Sequence, residues 1–116
     1  MTIKTKRVYE DPNRTDGRRI LVDRLWPRGL SKAAAKIDLW VKQVAPSHDL
    51  RQWYRHEHEK WPEFKRRYFK ELQASPKRIK ELLDLMATGT TTFVYSSKEL
   101  RFNNAAALME FLESRR

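Results

Sequence analysis

The chain has 116 residues, no cysteine and a formal net charge of +10. This length suits one domain with its own core. The lack of thiols excludes disulfides, thiol nucleophiles, thiolate zinc sites and iron–sulfur clusters, and fits a reducing cytoplasm.

Ile3–Tyr9 alternates β-formers with polar residues and reads as a first strand, followed by turn chemistry at Glu10-Asp11-Pro12-Asn13 and Asp16-Gly17. The link to the next strand is too short for a crossover helix, so the two strands are expected to be antiparallel or not neighbours. In Ile20–Leu25 the side chains of Ile20, Val22 and Arg24 share one face, and those of Leu21, Asp23 and Leu25 the other. Apolar on both faces, such a strand belongs inside a covered, usually parallel sheet. Pro27-Arg28-Gly29 breaks it, and Ser31 caps a turn of helix at Ala33-Ala34-Ala35.

Leu39–Ala45 reads as a third strand ended by Pro46, after which Ser47 caps a helix with Leu50, Trp53 and Tyr54 inward. Trp61, Phe64, Tyr68 and Leu72 recur at helical spacing behind Pro62, which suits a first helical turn. Ser75-Pro76 opens another helix with Ile79, Leu82, Leu83 and Met86 inward, ending at Gly89. Thr91–Tyr95 forms a fourth strand, and Asn103 or Asn104 caps a last helix through Leu108, Phe111 and Leu112. The pattern predicts an α/β protein, one domain over residues 1–116, with a small mostly parallel or mixed four-stranded sheet flanked by helices.

Ligands of such sheets sit beyond the carboxyl ends of the strands, and three loops are expected there: 24–29, 46–51 and 96–104. Arg24, Arg28 and Arg51 supply guanidinium forks for phosphate or carboxylate. Ser47 opens a helix whose first N–H groups favour an anion, and Ser96, Ser97 and Asn104 add neutral hydrogen bonds. Asp23 and His56 are the candidates for acid–base chemistry, with no partner nucleophile evident. Each residue also has a plainer reading: Arg24 closing the sheet by pairing with a carboxylate, Ser47 and Asn104 as ordinary caps, the tryptophans as core.

His56-Glu57-His58-Glu59 lacks the zincin spacing, in which two histidines stand four apart, so no metal is expected. Only three glycines are present and none forms a phosphate loop, so no cofactor is expected either. No apolar run approaches the roughly 20 residues that span a bilayer, and the basic start Met1–Arg7 has no apolar stretch behind it. A cytoplasmic protein without a membrane partner follows as the expectation; the oligomeric state is not legible.

Lys6-Arg7-Val8-Tyr9, Asp16-Gly17, Leu21–Gly29 (Leu-Val-Asp-Arg-Leu-Trp-Pro-Arg-Gly), Pro46-Ser47 with Leu50-Arg51, and Phe64 with Tyr68, Glu71 and Leu72 together resemble the YeaO-like family. These are small bacterial proteins grouped under a domain of unknown function. The resemblance spans nearly the whole chain and implies a compact α/β domain with no established activity. Two positions depart from the family's usual pattern: Arg18 stands where an aromatic residue is common, and Asn104 where Asn-His-Ala is common. The second departure weakens acid–base chemistry there and leaves hydrogen bonding intact.

Three functions remain open on the sequence. The first is a pocket for a small anionic ligand, a phosphorylated metabolite or nucleotide, with or without catalysis. The excess charge favours it: residues 1–42 hold eleven Lys/Arg against five Asp/Glu. The second is non-specific nucleic-acid binding through Lys65, Arg66, Arg67 and Lys70, a patch interrupted by Glu63 and Glu71. The third is a structural or interaction protein whose arginines are all internally paired.

Overall fold

The computed structural model describes residues 1–115. Four strands, β1 (Thr2–Arg7), β2 (Arg18–Leu21), β3 (Leu39–Trp40) and β4 (Thr90–Tyr95), form one sheet in the order β1-β4-β2-β3. Every pairing is parallel. The expectation of a small α/β sheet holds, and of its two options the sheet is the parallel one.

β1 and β2 are not neighbours, because β4 lies between them, yet they run parallel. Residues 8–17 return the chain to the amino edge without an α-helix, through a 3-10 turn at Arg14–Asp16. Asn13 caps that turn, accepting from the Thr15 N–H (2.9 Å), while the Asp16 carboxylate accepts from the Asn13 N–H (3.0 Å). Gly17 (φ +64°) then passes so close to β4 that a Cβ would sit 2.1 Å from the Thr90 carbonyl oxygen. Only glycine fits there.

The two faces of the sheet carry different layers. Ile3, Ile20, Val22, Phe93 and Tyr95 point into the larger core. That core is closed by α2 (His48–Tyr54), α3 (Trp61–Gln73), α4 (Pro76–Leu85) and α5 (Asn104–Glu113). The opposite face carries Val8, Leu21 and Val94 under Trp26, Leu30, Ile37 and Trp40. There the cover is loop and the one-turn α1 (Lys32–Ala35), capped by Ser31. A buried ion pair joins Arg19 to Asp16 (2.7 Å), Lys6 reaches Asp16 at 3.2 Å, and the Thr92 hydroxyl donates to the Asp16 carbonyl (2.7 Å).

Several boundaries differ from the expected ones: β1 covers Thr2–Arg7 rather than Ile3–Tyr9. β2 ends at Leu21 rather than Leu25, although the Val22 N–H still bonds Val94 (3.3 Å); beyond it the chain bends, and Leu25 is exposed. β3 is two residues long rather than Leu39–Ala45, because β2 offers only Ile20 and Leu21 as partners; Lys42–Val44 coils into a 3-10 turn instead. α4 stops at Leu85, and Gly89 (φ +76°) makes the turn into β4. Elsewhere Phe64, Tyr68 and Leu72 bury the expected stripe of α3, and Asn103 is the cap of α5, accepting from the Ala106 N–H (2.8 Å). No helix among the described residues is long and apolar enough to cross a membrane.

Candidate functional site

The loop beyond β2, the loop beyond β4 and the start of α5 are tied together by one carboxylate. Asp23 Oδ2 accepts from both the N–H (2.9 Å) and the hydroxyl (2.8 Å) of Ser96, which follows β4. Asp23 Oδ1 accepts from Asn104 Nδ2 (3.0 Å), which also donates to the Val22 carbonyl (3.1 Å). The Trp40 indole N–H reaches the Asp23 carbonyl (2.7 Å). Arg7, at the end of β1, donates from Nε to Ser97 O (2.9 Å) and from Nη2 to Ser96 O (3.1 Å). This clasp fixes the floor of a cleft of about 520 Å³.

Four arginines line the cleft, Arg24, Arg28, Arg51 and Arg55, and Asp23 is the one carboxylate among its lining residues. None of the four pairs with a carboxylate among the described residues. Arg24 donates to the Pro46 carbonyl (3.2 Å) and Arg55 to the Gln52 carbonyl (3.0 Å). The guanidinium groups of Arg28 and Arg51 have no hydrogen-bond partner among the described residues. Internal pairing therefore describes Arg19, bonded to Asp16, and not the arginines of the cleft.

Arg55 and His56 enter this cleft on strained backbone. α2 ends at Tyr54, and the next two residues take left-handed conformations (φ +46° and +59°), uncommon for residues other than glycine. His56 stands 6.2 Å from Tyr54, ring centre to ring centre, and is exposed. His58, two residues on, leaves the cleft to pair with Glu99 (2.7 Å). The Glu99 carboxyl is held below the usual range, chiefly by the Arg101 N–H. Among the described residues no group of His, Cys, Asp and Glu is arranged to hold a metal.

Ser47 is not part of the cleft. Its hydroxyl accepts from the Leu50 N–H (3.2 Å) and donates to Glu71 (2.6 Å), while its own N–H also goes to Glu71 (2.9 Å). The negative charge expected at the start of α2 is thus supplied from inside the protein, by α3. Ser47 faces a second hollow of about 160 Å³, to whose lining Arg24 also belongs. Three of the four cations of the basic run on α3 are likewise engaged: Glu63 binds both Arg66 (2.6 Å) and Arg67 (2.7 Å), and Lys65 pairs with Glu110 (3.0 Å). Those two guanidinium groups drive the Glu63 carboxyl down to about 2.

Residues 2–116 match the family model described as the inactive DUF488-N3 subclade. The chain belongs to this family. It is 39% identical over 114 residues to YeaO of Escherichia coli K12, covering 98% of this chain and 99% of that protein. It is 40% identical over 113 residues to Rv3073c of Mycobacterium tuberculosis H37Rv, covering 97% and 95% respectively. Both relatives are themselves uncharacterized proteins. No solved structure matches the chain.

Arg18 lies at the far, amino end of the sheet, bonded to Thr91 (3.1 Å) and the Thr88 carbonyl (2.8 Å). Asn104 lies in the cleft. Asp23, Arg24, Arg28, Arg51, His56, Ser96 and Asn104 thus converge, and Ser47 does not. Sequence reasoning missed Gln52, Arg55 and the aromatic lining of Tyr54, Phe64 and Phe102. The helical spacing of Leu50, Trp53 and Tyr54 marks an inner face, but nothing in it shows that this face ends at a cleft.

Proposed function

We propose that the family member described here binds a small phosphorylated anion in the cleft and does no chemistry on it. The observation that carries this reading is the imbalance of charge: four guanidinium groups without carboxylate partners surround one carboxylate whose two oxygens are already hydrogen-bonded. Guanidinium forks match phosphate oxygens in pairs. A catalytic base needs a free lone pair within reach of substrate. Three of the four lone-pair sites of the Asp23 carboxylate are taken by Ser96 and Asn104, and exposed His56 lacks a hydrogen-bond partner that would orient it. The description of the family as inactive agrees with binding without turnover.

A thermal scan with pyrophosphate, sulfate and sugar phosphates tests the reading. A ligand that binds only the folded state adds about 2.7 kcal/mol at 100 times its Kd, several degrees in the midpoint of a domain this size. Arg28→Gln removes the shift and leaves the unliganded midpoint unchanged, because the Arg28 side chain supports nothing else. The reading fails if no anion shifts the wild type, or if Arg28→Gln alone destabilises the protein by several kcal/mol.

A further inference from the structure

The cleft is walled by aromatic rings drawn from opposite faces of the sheet. Trp26 belongs to the cluster over the second face, where it packs edge-on against Trp40 (5.5 Å between ring centres). Its indole N–H is held by the Leu30 carbonyl (2.7 Å), so the ring is fixed on two sides before any ligand arrives. Tyr54 and Phe64 belong to the helical core on the first face, stacked 4.4 Å apart. Phe102 completes that wall, packed against Trp61 (5.4 Å) and receiving the Tyr54 hydroxyl on its carbonyl (3.0 Å).

Two amides offer polar recognition between them. Asn104 is oriented by its own bonds: both N–H groups of Nδ2 are spent on Val22 and Asp23, which leaves its carbonyl oxygen as an acceptor with a fixed direction. The Gln52 side chain has no partner among the described residues and carries both a donor and an acceptor.

From these juxtapositions we infer that the cleft takes a nucleoside monophosphate, its base on the half-buried Trp26 ring, its phosphate on the arginines, and an N–H or O–H of the ligand on Asn104. The inference rests on the anion-binding reading and names its ligand class. A volume of about 520 Å³ falls within the usual span of small-molecule pockets. Trp26 is preorganised and half-buried, as stacking requires, and every base presents a π face; Tyr54 and Phe64 are buried and stacked on each other, so they back the cleft. Arginines alone select charge. Only the combination of charge, an accessible indole face and a directed amide acceptor favours a ring joined to phosphate over phosphate alone.

The test compares AMP, GMP and UMP with ribose 5-phosphate and pyrophosphate on the intact protein, by calorimetric titration and by the indole N–H signals of its tryptophans. Trp26 is the tryptophan that lines the cleft; Trp40, Trp53 and Trp61 lie elsewhere. Its signal is assigned by its loss in Trp26→Phe. At least one nucleotide should bind about tenfold or more tightly than ribose 5-phosphate. It should also displace the Trp26 indole signal, which pyrophosphate leaves in place. If pyrophosphate or ribose 5-phosphate binds as well as every nucleotide, or if Trp26 is unmoved at saturation, the nucleotide inference falls while the anion site stands. A trinucleotide that binds more tightly than any mononucleotide overturns it in favour of nucleic acid. No binding by any of the five overturns both readings.

Discussion

The Asp23 clasp makes the sharpest structural prediction, because the same residue has a rival role as a base. Asp23 accepts three hydrogen bonds, from the N–H and hydroxyl of Ser96 and from Asn104, at 2.8–3.0 Å in a partly buried setting. Hydrogen bonds to a charged group are worth roughly 1.5–3 kcal/mol each, and bonds sharing one acceptor group do not add fully. Asp23→Ala is therefore expected to cost about 3 kcal/mol, a large part of a stability of roughly 5–15 kcal/mol. Asp23→Asn separates geometry from charge. Its single oxygen can serve Ser96 or Asn104 but not both, and its NH2 then faces a donor at about the same distance. Asn104 cannot rotate to relieve this without losing Val22. A cost of about 2 kcal/mol follows for the isosteric change. Urea unfolding monitored by tryptophan fluorescence reads both variants. If either is as stable as the wild type, the loops do not depend on this carboxylate. If an activity were found and Asp23→Asn abolished it at unchanged stability, Asp23 would be a catalytic group and the clasp argument would be wrong.

Gly17→Ala should cost at least about 3 kcal/mol, since the added Cβ meets the Thr90 carbonyl at 2.1 Å and φ is +64°; a soluble variant with an unchanged midpoint in a thermal melt would refute the close approach. Asp16 should contribute to acid sensitivity. Burial raises its pKa, but the Asn13 N–H together with Lys6 and Arg19 outweighs this and the net shift is downward. Its stabilisation is thus present above the unfolded value near 4 and is lost as pH falls below it. Asp16→Asn should be less stable than the wild type at neutral pH, with a flatter stability profile below about pH 4 in denaturant titrations. Arg55→Gly should raise stability by up to about 1 kcal/mol by relieving a left-handed backbone, while weakening anion binding in the thermal-shift assay. Stabilisation without loss of binding would remove Arg55 from the site.

The elements most legible in the sequence are those whose stabilisation is local or periodic. The α3 stripe of Phe64, Tyr68 and Leu72, the Ser31 and Asn103 caps and the apolar run at Ile20–Val22 each announce themselves within a few residues. β3 reads too long in the sequence because Val41 and Val44 continue an apolar pattern that only a partner strand can stop, and β2 ends first. The position of β4 between β1 and β2 is hidden for a related reason. Parallel strands normally demand a helical crossover, and here the return is made by a loop whose geometry depends on Gly17 lying against Thr90, more than 70 residues away in the chain.

The same distinction governs the site. Arg24 and Arg28 can be placed beyond a strand end because their position follows from the strand itself. Ser47 has the same local signal as any helix cap, and what removes it from the cleft is a carboxylate on another helix, Glu71, which no spacing rule connects to it. Asn104 shows the converse. As a cap candidate it looks interchangeable with Asn103, yet the two neighbours divide the work: Asn103 caps α5, and Asn104 reaches the Val22 carbonyl and Asp23. A histidine in that place would have two ring nitrogens on opposite edges and could not give both bonds from one atom. Asparagine donates both from one nitrogen and keeps its oxygen for something else. Asn104 therefore places a fixed acceptor, and no titratable group, at this point of the cleft.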